Sequence, residues 1–154
     1  METTLKTLLD AAVWIIALAA LAAAAVFDLR TTYIPLFLLL LPLLAIVCLR
    51  GLEGRYFSII LGGSLGTLYL FLHFLLKKLR RRHTSSPPPS ISWGDILGVS
   101  IVGTVGGNAV LVPLWFFTVA AAVIGLICKC KEIPFIPFLW GALVTTAVLL
   151  MAWR

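Results

Sequence analysis

Charge is what this sequence has least of. Only 12% of its 154 residues are charged, about half the roughly 25% of a soluble globular domain. Too little polar surface remains to cover a core in water, so lipid is expected over most of the exterior. Cysteine is scarce too: Cys48, Cys128 and Cys130 form no CxxC pair, which argues against a zinc site or a disulfide framework and for free thiols in apolar surroundings. Two histidines, His73 and His83, lack a convincing nucleophile partner. Neither a metal nor any other cofactor is expected. No small-residue cleavage site follows the first apolar segment, which ends at Asp28-Leu29-Arg30, so no cleavable signal peptide is expected.

Long apolar runs are what the sequence has instead. Hydrophobic residues make up 62% of it and its mean hydropathy is +1.12. Residues 8–27, 34–49, 57–76 and 135–153 each approach the roughly 20 residues that cross a hydrocarbon core. Residues 96–128 carry no charge over 33 positions, about 50 Å as one helix. That exceeds one crossing, and the natural break is Gly106-Gly107-Asn108. The expected fold class is therefore all-α: a single polytopic domain over 1–154 with six transmembrane helices, spans near 8–27, 34–49, 57–76, 93–107, 109–128 and 135–153.

The net charge of +6 does not point to nucleic acid, because the basic residues cluster. Lys77, Lys78, Arg80, Arg81 and Arg82 open a polar stretch, 77–92, that closes on three prolines and several serines. Such a segment is expected to be a cytoplasmic loop by the positive-inside rule. Threading six spans from it puts eight of the twelve basic residues on the cytoplasmic side. Lys6, Arg50, Arg55 and Arg154 then lie outside, with Asp10 solvated near the outer surface.

That threading also brings two acids to one depth. Asp28 ends the first span and Asp95 begins the fourth, each bordered on one side by continuous apolar sequence. An ionisable group there is costly unless paired or functional. Asp28 has the alternative of pairing with Arg30, and Asp95 that of an acid favoured by a helix N-terminus. Together they suggest a dyad in which one carboxyl keeps a proton while the other serves as base.

Three motifs sharpen the reading. Asp28-Leu29-Arg30-Thr31-Thr32-Tyr33-Ile34-Pro35, Trp93-Gly94-Asp95, and Ile133-Pro134-Phe135-Ile136-Pro137-Phe138-Leu139 resemble, in order, the first aspartate motif, the G-x-G-D motif and the I-P-F-x-P-F-L segment of the type IV prepilin peptidases. The resemblance covers nearly the whole chain. It implies a membrane aspartyl endopeptidase, in the short peptidase-only form, at the inner or plasma membrane with its active site facing the cytoplasm. Its partners would be prepilin-like precursors with a basic leader and an apolar helix, together with the lipid bilayer. By the resemblance Asp28 and Asp95 are catalytic, Gly94 lets the backbone pack closely beside the acid, and Pro134, Phe135, Pro137 and Phe138 support the site or touch substrate. Ser92, Leu97 and Leu36 stand where that family usually has glycine, lysine and asparagine. Two other readings remain: an inactive pilus-assembly factor keeping the fold, or a proton- or ion-coupled transport subunit. The transport reading fits poorly, since a relay staggers its acids through the bilayer.

Overall fold

The computed structural model describes residues 2–31, 34–80, 92–128 and 134–153. Thr32, Tyr33, Lys129, Lys131 and most of the 77–92 loop lie outside them, as do the side chains of Lys77, Lys78 and Arg80. The described residues form six α-helices and one 3-10 turn: α1 Glu2–Thr31, α2 Phe37–Leu52, α3 Tyr56–Arg80, α4 Trp93–Gly106, the turn Gly107–Val110, α5 Leu111–Cys128 and α6 Ile136–Ala152. The fold is all-α. Two helical stretches, Thr4–Thr31 and Trp93–Ile124, are long and apolar enough to cross a membrane, and Phe37–Leu52, Tyr56–Leu72 and Ile136–Ala152 are shorter apolar helices.

Successive helices from α1 to α4 alternate in direction, which places two distinct ends. Asp28 near the end of α1 meets the start of α6, and Ile34, just before α2, packs on Gly94 at the start of α4. At the opposite end, Arg50 near the end of α2 reaches Asp10 early in α1 and the Val105 carbonyl late in α4. Gly98 lies against Leu139 and Ile136, and α6 also touches the 3-10 turn beyond α4, so α4 and α6 run parallel. The break between α4 and α5 falls at Gly107, whose φ of 55° lies in the region that favours glycine.

One face of α1 shows why the core sits where it does. Val13, Ala17, Leu21, Ala24 and Asp28 recur at spacings of three or four residues and are all buried, as one stripe of a 3.6-residue helix requires. Alanine in that stripe lets α2, α4 and α6 approach closely. The largest apolar side chains instead point outward on every helix, for example Leu41, Phe57, Phe71 and Trp115, the last 70% exposed.

The tightest seam joins α3 to α4. A Cβ at Gly62 would collide with Thr104 Oγ1 and stand 2.6 Å from the Ser100 carbonyl oxygen. One turn on, a Cβ at Gly66 would collide with Ser100 Oγ. The backbones touch, as small residues at i, i+4 permit in membrane helices. Gly62→Ala should therefore lower stability by about 1–3 kcal/mol through overpacking, because the obstacle includes backbone that cannot rotate away. Gly63→Ala, with nothing within 4 Å, should be neutral. Thermal unfolding in detergent separates them, and equal melting temperatures would refute the seam.

Candidate active site

The end of the bundle that gathers Asp28, Gly94, Asp95 and Phe135 draws them from three helices, α1, α4 and α6. α1 delivers Asp28 as the last member of its buried stripe, 8% exposed. Its carboxylate does not pair with Arg30 among the described residues. Oδ2 instead accepts a hydrogen bond from the Ile136 backbone N–H at 3.2 Å, a buried contact across 108 positions. The first N–H groups of a helix have no partner within it, so Asp28 satisfies one that burial would otherwise leave unpaired.

The local chemistry of α6 explains why Ile136 is available. Phe135 is the N-cap and Pro137 lies in the first turn, where its missing N–H removes no helical bond. The Phe135 carbonyl accepts from the N–H groups of Phe138 and Leu139, at 3.0 and 3.3 Å. Ile136, Pro137 and Phe138 are thus already helical, and the motif is the start of a helix with Pro134 and Phe135 just ahead of it.

Asp95 is set by α4. Ser92 is the N-cap, and the two residues form a reciprocal capping box. The Asp95 N–H donates to Ser92 Oγ at 3.3 Å, and Asp95 Oδ2 accepts from the Ser92 N–H at 2.9 Å. Serine is a preferred N-cap because its hydroxyl accepts from the first turn, which gives Ser92 a physical reason to stand in a position where the resembled family usually has glycine. Gly94 lies between them, and a Cβ there would stand 2.9 Å from Ile34 Cδ1. Ile34 therefore closes over the backbone directly beside Asp95.

Each acid thus has the local role that its position alone allows, a helix-terminal hydrogen bond, and yet the two converge. Ile136, whose N–H bonds Asp28, also packs against Gly98, less than one turn beyond Asp95, although the two acids lie 67 positions apart on different helices. Apolar side chains are buried close by: Ala24 one turn before Asp28, Ile34 against Gly94, and Ile136 at the start of α6. A pair of carboxyls held at one end of an apolar bundle can hold a water between them, one as base and the other as acid.

Tyr69 of α3 is a member that the sequence did not single out. Its ring stacks on Phe135, with centroids 5.4 Å apart and planes inclined by 10°. In a helix reading Tyr69-Leu70-Phe71-Leu72 one aromatic gives no cue. The available signal was spacing, since Gly62, Gly66 and Tyr69 lie on one helical face.

At the far end the structure overturns one expectation. Asp10 is not solvated near the outer surface: its side chain is 18% exposed and paired with Arg50. Arg50 is 0% exposed, and its Nη1 bonds Asp10 Oδ1 at 2.5 Å and Glu53 Oε2 at 2.6 Å. Its Nη2 donates to the Val105 carbonyl at 2.9 Å. Arg55 completes the group, 3.0 Å from Asp10 and 3.4 Å from Glu53. Charges at the end of an apolar bundle lower their energy by pairing with one another, and the threading had already put all four at one end.

Comparison with protein-family models, with curated proteins and with solved structures found no match to the chain.

Proposed function

We propose that this protein is a six-span membrane aspartyl endopeptidase that removes the basic leader from prepilin-like precursors at the cytoplasmic face. The observation that carries the reading is that Asp28 and Asp95, from separate helices, come to the same end of the bundle, where Ile136 bonds the first and packs beside the helix start that carries the second. The three motifs that resemble prepilin peptidases all contribute to that end. Large apolar side chains are exposed on each of the six helices, among them Ile15, Leu41, Phe57, Trp93, Trp115 and Met151, where a soluble monomer would expose few. A lipid environment accounts for it.

The chemistry requires only the two carboxyls and a water. The ionised carboxylate removes a proton as the water oxygen attacks the scissile carbonyl carbon. The protonated partner gives its proton to the carbonyl oxygen, which becomes a hydroxyl in the tetrahedral intermediate. Collapse then breaks the C–N bond. The proton held by the former base passes to the leaving amine, and the other acid recovers its own from the hydroxyl. Both carboxyls end in the states in which they began.

The substrate's apolar helix would lie in the bilayer beside the bundle, with its basic leader at the cytoplasmic boundary. Co-expression with a precursor built of a basic leader and an apolar helix tests this. Leader loss should appear as a shift to a smaller species on a gel. A precursor that stays full length, beside enzyme shown to be inserted and folded, would count against the peptidase reading.

A further inference from the structure

We infer that Tyr69 is a positioning residue of the carboxylate pair, holding the start of α6, and through it Asp28, in register with Asp95. The inference rests on the protease reading above and adds to it a fourth helix, α3, which none of the three sequence motifs includes.

Two independent observations place Tyr69 there. The first is helix register. Gly62 faces Ser100 and Thr104, and Gly66 faces Ser100 and Ile96, so α3 and α4 are antiparallel and each turn along one moves a turn back along the other. Tyr69 follows Gly66 on the same face. The next step in the register brings it to the level of Asp95 and Ile96.

The second is the stack on Phe135. Phe135 is the residue whose carbonyl begins the α6 hydrogen-bond pattern, and the next amide, Ile136 N–H, holds Asp28. A ring clamped on Phe135 therefore restrains the peptide to which Asp28 is bonded. Tyrosine suits this task because it is rigid, with two χ angles, and planar enough for an offset stack.

The test uses purified full-length enzyme in detergent and a prepilin-like precursor with a basic leader. Tyr69→Leu should lower kcat by on the order of tenfold to a hundredfold, the scale of a small misplacement of reacting groups, with KM changed by no more than about twofold. Its pH–rate profile should narrow, because two carboxyls held less closely couple more weakly and their apparent limbs draw together. Tyr69→Phe keeps the stack and should restore most of kcat, and it guards against the leucine variant failing to fold.

Wild-type turnover in Tyr69→Leu would overturn the inference. So would a lower melting temperature with kcat and pH profile unchanged in the folded fraction, since that is packing alone. Should Tyr69→Leu not fold, a Tyr69→Phe enzyme as slow as an Asp95→Asn enzyme would also overturn it. Asp28→Asn and Asp95→Asn run alongside: if these cleave normally, the protease reading fails and takes this one with it. If they are inactive while Tyr69→Leu is not, only the role of Tyr69 falls.

Discussion

Asp28→Asn and Asp95→Asn should each abolish leader cleavage, lowering turnover by roughly a thousandfold or more. The substitution is chosen for what it leaves intact. At position 28 the amide oxygen of asparagine can still accept from the Ile136 N–H as Asp28 Oδ2 does, so the start of α6 keeps its partner. At position 95 that oxygen can likewise accept from the Ser92 N–H in place of Asp95 Oδ2, so the cap of α4 survives. What neither variant can do is exchange a proton with water. Alanine would be a poorer test, since it would also leave a buried N–H unpaired, at about 1–3 kcal/mol. The double variant should be little worse than either single one, because residues that act as a unit are lost as a unit. A gel shift on co-expressed precursor measures all three, with membrane insertion checked in parallel. Near wild-type processing by either single variant would remove the dyad. An unmodified enzyme that never cleaves, whatever the precursor, would instead favour the inactive assembly-factor reading.

The two acids were legible because each interrupts an apolar run at its end, and a charge in that position draws attention without any structure. The break between α4 and α5 was legible for a similar reason: 33 uncharged residues are long for one helix, and Gly106-Gly107 was the only glycine pair within them. Helix ends were less so. α1 and α3 extend beyond the apolar segments, to Glu2 and to Arg80, because polar helix formers prolong a helix that hydropathy sees as finished. What stayed hidden was pairing between distant segments. Tyr69 acquires meaning only once Gly66 is set against Ser100 and Phe135 is brought across. Arg50, ending an apolar helix, looks like any flanking arginine until Asp10, 40 positions earlier, is placed beside it. Period and composition report which face a residue occupies. They do not report which other face it meets.

Arg50 is the residue whose loss should be felt most in stability. Arg50→Ala is expected to destabilise the folded protein by roughly 3–5 kcal/mol, the scale of removing one partner from a buried ion pair. The reason is less the attraction lost than the charges left behind. Asp10 and Glu53 side chains are 18% and 2% exposed, and without Arg50 the half-exposed Arg55 would be left to face them both. The Val105 carbonyl near the end of α4 would lose its donor as well. Three elements therefore loosen at once: α1 through Asp10, the α2 terminus through Glu53, and α4 through Val105. Lysine should rescue little, since a single ammonium lacks the planar fork that serves two carboxylates and a carbonyl together. The informative partner is the triple change Arg50→Met, Asp10→Asn, Glu53→Gln, which removes the buried charges together and should recover much of the loss. Thermal unfolding in detergent reads the series. Since the cluster lies at the opposite end from Asp28 and Asp95, the fraction of Arg50→Ala that remains folded should cleave precursor at close to the wild-type rate. A variant that keeps the wild-type melting temperature would show that these charges are hydrated rather than buried. One that is stable but inactive would show instead that the two ends of the bundle are coupled.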